Sequence, residues 1–293
     1  MTMDGAMDSP NPNEIADIVD KVGSGLDKGS SAIDRIFPEI ATRSHGRAED
    51  KNTKRIIKAI KRIDADPDLD DSMKQLLKID AVSRYNRYAR VEDIVGIAES
   101  IGATNQPVDK EWSEYFYDYA SKVSDEEAKV LWANILKGEK DKPGSFSKRT
   151  LACLSAMSKQ EANAFRRLCS LSFGISLDNK YINIPLVDDL ANESFPKIGF
   201  AQSELNLLDS IGLVRAQNQS FRTGSTIVVG KESYVKANNR YLKISSGEFH
   251  LDLSEFTQIG QELSSICEIG TALGFVEYLV GRLHRDGFSV VLG

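Results

Sequence analysis

The sequence predicts an α+β protein that is mostly α, with a helical N-terminal region and a central helical bundle followed by an α+β C-terminal domain. Three observations predict this class. Apolar residues recur at helical spacing as far as residue 173. After Gly174 the pattern changes to short runs in which apolar and polar residues alternate, as is typical of strands. Two Ser-x-x-Glu sequences, each before an apolar run, indicate helix starts near the middle of the chain.

Composition narrows the class of protein. The 293 residues are enough for two modest domains. We expect a cytoplasmic protein that does not span a membrane, because the chain has no long apolar run and its acidic N-terminus lacks the pattern of a secretion signal. The net charge of −6 argues against a surface that coats nucleic acid all round. The 3 cysteines and 3 histidines are scattered, so we predict no metal site, no disulfide framework and no cofactor.

The N-terminal part divides into two predicted regions. We expect residues 1–13 to form a disordered tail and residues 14–100 to form a helical region with basic helices. Between Glu14 and Phe37 apolar residues recur at helical spacing, but three glycines interrupt them, so this helix is weak alone. It packs on a protein partner or lies on a membrane surface. The aspartates on its polar face favour the partner, because an interfacial helix carries Lys and Arg there.

Two basic helices are predicted to follow, from Ala48 to Ile63 and from Ser72 to Tyr88 or beyond, with a further short helix from Val91 to Ser100. The run DADPDLDD, residues 64–71, separates the first two. Arginines interleave with tyrosines near the end of the second helix, and this pattern is typical of nucleic-acid binding, since guanidinium groups pair with phosphates and tyrosines stack on bases. The alternative is a solvated face of long helices. The candidate nucleic-acid-binding residues are Lys51, Lys54, Arg55, Lys58, Lys61, Arg62, Arg84, Tyr85, Arg87, Tyr88 and Arg90.

Residues 110–173 are predicted to form the central helical bundle. Its first helix carries large apolar residues on one stripe, and a second helix follows a Ser-x-x-Glu capping box; a similar box opens the fourth helix. We interpret the acids at 125–127 as helix-capping residues rather than as metal ligands or acid/base groups. The predicted structural residues are Trp112, Phe116, Ser124, Glu127, Trp132, Ser158 and Glu161.

Residues 174–293 are predicted to form a winged-helix-like domain. We expect strands at 181–186, 225–230, 240–245, 248–253 and 288–292, helices within 199–214, 257–267 and 271–284, and a hairpin turn at Ser246-Gly247. A helix that ends at Gly212, then a β-hairpin, then a helix capped by Thr257 is the order found in winged-helix modules. The candidate recognition helix, residues 202–210, contains two acids and no cation, so we expect protein contact rather than DNA contact.

The central stretch resembles a known family. The segments SDEEAKVLWANILKGE (124–139) and PGSFSKRTLACLSAMSKQEA (143–162), preceded by a Trp–Phe helix, resemble the signature of uncharacterised bacterial proteins grouped as a domain of unknown function. Members often occur among mobile-element and defence-related genes, so the resemblance implies a role in phage defence. It assigns no catalytic residue, and the basic helices lie outside the part that it covers.

The sequence leaves three classes of function to consider. The preferred hypothesis is a non-enzymatic interaction or sensor protein with a protein partner, which includes self-association. The alternative is a nucleic-acid-binding protein that uses the basic helices at 51–62 and 84–90. An enzyme is the third class, but the sequence offers no nucleophile, metal or phosphate-loop pattern to support it.

Overall fold

The protein is described here by a computed structural model. It describes residues 49–177, 180–187, 190, 199–216, 225–229, 233–237, 240–251, 254–267 and 272–292. The predicted tail 1–13 and the glycine-interrupted segment 14–37 lie outside the described residues. The chain divides into two compact units, Met1–Lys148 and Arg149–Gly293.

The described part of the first unit is helical. Its elements are α1 (Glu49–Ala65), α2 (Asp71–Ser100), α3 (Lys110–Ala120) and α4 (Glu126–Asp141). α1 and α4 each pack along α2, and α3 also contacts α2.

α2 is one helix of 30 residues, so the predicted break between Tyr88 and Val91 is wrong. Asp70 caps its start, because the carboxylate accepts the N–H of Met73 at 2.8 Å. No Gly or Pro occurs between Ser72 and Val95, and the backbone therefore has no reason to leave the helix there.

Three aromatic side chains form the centre of the first unit, as predicted. The rings of Trp112 and Phe116 stack with centroids 5.1 Å apart, and Phe116 meets Trp132 edge to face at 5.5 Å. All three side chains are buried. Such pairs contribute about 0.5–1.5 kcal/mol each beyond the burial of their area.

One predicted capping box is present and the other is not. Ser158 and Glu161 cap each other's backbone N–H groups, and these hydrogen bonds lower the pKa of Glu161. The predicted box of Ser124 and Glu127 is wrong, because Asp125 caps α4 by accepting the N–H of Ala128 at 2.9 Å. Asp and Ser are equally good caps, and the charge of Asp125 also interacts favourably with the positive end of the helix dipole.

The second unit combines helices and strands. Its elements are α5 (Lys148–Ala156, whose first residue belongs to the first unit), α6 (Lys159–Ser170), β1 (Ser172–Leu177), β2 (Lys180–Pro185), α7 (Gln202–Ser210), β3 (Val214–Ala216), β4 (Ser225–Val229), β5 (Ser233–Ala237), β6 (Arg240–Ile244), β7 (Gly247–Leu251), β8 (Ser254–Phe256), α8 (Gln258–Ser264), α9 (Phe275–Arg285) and β9 (Val290–Leu292). The chain is therefore an α+β protein with mostly helical structure.

The boundary between the units falls inside the predicted bundle 110–173 rather than at its end. α6 packs against α7, and Arg167 of α6 forms an ion pair with Glu204 of α7. These contacts join the last helices of the predicted bundle to the strand-containing unit.

The main sheet is antiparallel, with strand order β2-β1-β5-β6-β9, and the pairs β3-β8 and β4-β7 lie outside it. The predicted hairpin turn at Ser246-Gly247 is wrong, because β6 pairs with β5 and β9 whereas β7 pairs with β4. β5, which the sequence analysis missed, is the hairpin partner of β6. Thr257 caps α8 as predicted, accepting the N–H of Gly260. The winged-helix detail stays a prediction.

Gly138 supplies a test of the packing in the first unit. A Cβ at this position would lie 2.5 Å from Cε2 of Phe146, whereas a Cβ at Gly96 of α2 would meet nothing within 4 Å. We expect Gly138→Ala to lower the free energy of unfolding by about 1–3 kcal/mol because the ring must move. Gly96→Ala is the control and should raise that free energy by up to about 1 kcal/mol through helix propensity. Urea denaturation followed by tryptophan fluorescence measures both, and equal effects would contradict the packing described.

Candidate functional site

A buried acid and a tryptophan from residues 110–141 hold the loop that follows α4. Glu139, in the last turn of α4, is 3% exposed. Its carboxylate accepts the N–H of Gly144 at 2.7 Å and that of Phe146 at 2.9 Å. The indole N–H of Trp112 donates to the carbonyl of Phe146 at 2.7 Å. We call Glu139, Trp112 and the backbone at 144–146 the loop clasp.

Local conformation explains why the loop fits. Gly144 has φ +84°, in the left-handed region that favours glycine. Two N–H groups on one buried carboxylate offset the cost of removing that charge from water. The segments Gly138-Glu139 and Pro143–Phe146, which belong to the signature that resembles the family, therefore have a role in stabilising the fold.

The end of α4 is fixed from its other side by Thr104. The Thr104 hydroxyl donates to the carbonyl of Lys140 at 3.0 Å, and its N–H donates to the carboxylate of Asp141 at 3.3 Å. These bonds satisfy a carbonyl that the helix leaves without an intrahelical partner. The Lys140 side chain is buried, and this burial lowers its pKa.

A buried lysine connects α2 and α4. The ammonium group of Lys129 donates to Asp93 at 2.7 Å and to Glu126 at 2.9 Å. These two hydrogen bonds raise the pKa of Lys129. Asp125 is thus the cap of α4, whereas Glu126 pairs with a lysine in the first turns of the helix instead of capping its backbone.

The tyrosine and arginine residues predicted to bind nucleic acid do not form one surface. Tyr88 is buried, and Arg90 donates to the carbonyl of Ser121 at 3.3 Å. Arg84 is exposed but forms an ion pair with Asp80. Tyr85 is half-buried and Arg87 is exposed. Tyr88 and Arg90 are thus engaged within the first unit, which leaves Arg84 and Arg87 as the exposed members of this group.

α1 carries the remaining candidates. Lys58, Lys61 and Arg62 are exposed, and we call them the α1 cation row. The side chains of Lys51, Lys54 and Arg55 lie outside the part of the structure that is described. The α1 cation row is the largest group of predicted nucleic-acid residues that the described structure keeps together in solvent.

Sequence reasoning missed an apolar surface on the hairpin that α1 forms with the first turns of α2. Met73 and Leu76, one turn apart on α2, are 45% and 62% exposed. Among described side chains, none in α1 and none in α2 before Val82 is buried. We call Met73 and Leu76 the hairpin surface. The signal was present in the sequence, because both residues lie on an apolar helical pattern that requires a partner.

The described elements define an α+β protein of two units whose most motif-rich segment stabilises the fold. The chain belongs to the family described as "Protein of unknown function (DUF2806)", whose model matches residues 80–280. This confirms the sequence-based assignment to a domain of unknown function. No curated protein and no solved structure matches the chain.

Two further kinds of feature are absent from the part of the chain that the structure describes. Within these residues, no group of three or more His, Cys, Asp or Glu side chains is placed to hold a metal ion. Over the same part of the chain, no helix has the length and apolar character needed to cross a membrane.

The loop clasp predicts a specific cost for one amide substitution. In Glu139→Gln, one of the two backbone N–H groups faces an NH₂ group instead of an oxygen, so the free energy of unfolding should fall by about 1–3 kcal/mol. Glu127→Gln, at an exposed position of the same helix, should change it by about 0.5 kcal/mol or less. Thermal denaturation of both variants at neutral pH measures the difference. A Glu139→Gln variant as stable as Glu127→Gln would show that the clasp contributes nothing.

Proposed function

We propose that the protein is a non-enzymatic interaction protein that self-associates through the hairpin surface. The observation that carries this proposal is the exposure of Met73 and Leu76 on a hairpin with no buried side chain among its described residues. Helices in proteins gain most of their stability from packing of an apolar face, and part of that face is left in solvent here. Complete burial of a Leu or Met side chain stabilises by about 1.5–3 kcal/mol, so a partner on this surface also stabilises the hairpin.

Charge supports a second copy of the chain as the partner. The tip of the hairpin, residues 64–71, carries five aspartates, and the exposed Arg84 and Arg87 lie further along α2. At 1.5 Å per residue, roughly 20 Å separates these arginines from the tip. In an antiparallel pair related by a two-fold axis, each acidic tip lies beside the arginines of the other copy. In such a pair the hairpin surface meets an apolar surface of the other copy, and the acidic and basic groups on either side of it face opposite charges.

The family resemblance supports phage defence in the bacterial cytoplasm as the setting for this association. We expect deletion of the gene to lower survival of its host under phage challenge. A copy that carries Met73→Ser and Leu76→Ser should fail to restore protection if assembly is required, whereas the wild-type copy should restore it.

Sedimentation velocity over a wide concentration range tests the association itself. We expect a concentration-dependent dimer, and we expect the double variant Met73→Ser/Leu76→Ser to weaken it roughly a hundredfold, because about 3 kcal/mol of apolar burial is lost. Val130→Ser is the matched control, since Val130 is 43% exposed on α4. A wild-type chain that stays monomeric at every concentration, or equal weakening by the control, contradicts the proposal.

A second candidate function, nucleic-acid binding, is favoured by one observation, which is the exposure of the α1 cation row on a single helix. Lysine and arginine contacts to phosphates release counterions, so affinity that depends on them falls steeply with salt.

Charge reversal separates this candidate from the first. We expect Lys58→Glu/Lys61→Glu/Arg62→Glu to abolish any gel shift of duplex DNA or RNA that the wild type gives at low salt. The control Lys159→Glu/Arg166→Glu reverses two exposed cations of α6 and should leave the shift unchanged. No wild-type shift at low salt, or equal loss in both variants, would rule out binding through α1.

A further inference from the structure

One face of the main sheet carries three exposed tyrosines. Tyr181 of β2, Tyr234 of β5 and Tyr241 of β6 are 56%, 58% and 52% exposed. Successive side chains of a strand point to opposite faces of the sheet. The next residues along two of these strands, Val235 and Leu242, are completely buried. The sheet therefore has one face in the core and one face, with the tyrosines, in solvent.

Strand register brings two of the tyrosines close to a lysine. Lys236 of β5 lies opposite Tyr241 of β6, and its ammonium group is 5.9 Å from the centre of the Tyr241 ring. Tyr234 lies two residues before Lys236 on the same strand, so it is a diagonal neighbour of Tyr241 at roughly 7–8 Å. Two aromatic rings and one cation thus share a small area of the exposed face.

Gly174 of β1 brings the third tyrosine into the same row. Gly174 lies opposite Lys236, on the side of β5 away from β6. A Cβ at Gly174 would overlap the hydroxyl group of Tyr181, which belongs to the next strand. The Tyr181 side chain therefore extends over the backbone of β1, whereas strand side chains ordinarily stand straight out from a sheet. Since 56% of it is exposed, its ring is accessible to a flat ligand.

The charge of this sheet differs from that of the whole chain. The protein has a net charge of −6, yet the sequence of the five strands includes no Asp or Glu and has four cations, Lys180, Lys236, Arg240 and Lys243. Lys236 and Lys243 share the face of the tyrosines, because they lie directly opposite Tyr241 and Tyr234. The exposed face thus combines aromatic rings with positive charge, and this combination complements a ligand that has flat groups and negative charge.

We propose that Tyr181, Tyr234, Tyr241 and Lys236 form a binding site for single-stranded nucleic acid. We call these four residues the tyrosine platform. Bases stack on aromatic side chains, and the phosphates between them pair with lysine. Stacking of two or three bases on the aromatic residues of a sheet is an established mode of RNA recognition. The bases of a duplex stack on each other instead, so the platform takes single strands.

The position of the lysine favours nucleic acid over a protein as the ligand. Tyrosine is enriched at protein interfaces, but lysine is depleted from their centres because burial of its charge is unfavourable. Here Lys236 lies on β5, the middle strand of the five. A phosphate neutralises a cation at that place, whereas an apolar protein surface would bury it without a partner. The platform belongs to the second unit and does not depend on self-association through the hairpin surface.

Fluorescence anisotropy with the full-length chain tests the proposal. The probes are labelled oligo(dT) and oligo(U) of about 12 nucleotides, a length typical of such sites. We expect saturable binding that weakens as salt rises, and weaker binding of a duplex of the same length. Binding of either single strand supports the proposal, and the tighter of the two shows whether the site prefers DNA or RNA.

Two double variants separate the rings from the hydroxyl groups. Tyr234→Thr/Tyr241→Thr keeps a high strand propensity but removes both rings, and it should weaken binding roughly a hundredfold. Tyr234→Phe/Tyr241→Phe keeps both rings and should bind like the wild type. Tyr115→Ala is the matched control, because Tyr115 is 42% exposed on α3 with the ammonium group of Lys148 at 5.2 Å from its ring. Because α3 also carries acids, this variant should bind like the wild type.

Ultraviolet crosslinking of the wild-type chain to a bromouracil-substituted oligonucleotide gives a readout that needs no variant to fold. We expect crosslinked peptides that contain Tyr181, Tyr234 or Tyr241. Crosslinks confined to α1 would overturn the proposal, as would absence of salt-dependent binding, equal affinity for the duplex, or equal weakening by Tyr115→Ala. A threonine double variant that binds no oligonucleotide differently but weakens a dimer in sedimentation would show a protein interface instead.

Discussion

The buried carboxylate of Glu139 fixes the loop on which the aromatic core of the first unit depends. It accepts the N–H groups of Gly144 and Phe146, and so fixes the path of the chain where α4 ends. Fixing Phe146 places its carbonyl where it accepts the indole N–H of Trp112, and Trp112 stacks on Phe116, which meets Trp132. The loop, α3 and α4 are thereby joined by one continuous set of contacts. An unpaired carboxylate at this depth would be costly, so the loop and the acid stabilise each other.

This constraint explains why the most distinctive segment of the chain points to its fold rather than to a reaction. Asp125 and Glu161 cap the backbone, Glu126 pairs with Lys129, and both tryptophans lie in the core. A surface with exposed apolar side chains lies elsewhere, on the first turns of α2 in the hairpin with α1. Met73 and Leu76 are exposed there beside acidic and basic groups of the same hairpin. The family match begins at residue 80, so this surface lies outside the matched region.

Sequence patterns predicted the fold class and several helix starts, because caps and apolar periodicity are local properties. The capping box at Ser158 followed from its own four residues, whereas Ser124 was chosen wrongly because Asp125, one residue later, is an equally good cap and is the residue at which the helix begins. The split of α2 and the hairpin at Ser246-Gly247 were wrong because strand pairing and helix continuation depend on tertiary neighbours. The role of Glu139 could not be predicted, since no local pattern shows which loop a side chain will meet.

Hydrogen exchange at two protein concentrations tests the central claim most directly. The claim is that two copies associate through the hairpin of α1 and α2, whereas the loop clasp stabilises the fold of each copy. The account predicts that amides of residues 56–81 exchange more slowly at high concentration than at low concentration, because a second copy covers the hairpin. Amides of α4 should exchange slowly at both concentrations, since the loop clasp acts within one chain. Exchange of residues 56–81 that does not depend on concentration would contradict the account, as would concentration-dependent protection confined to α4.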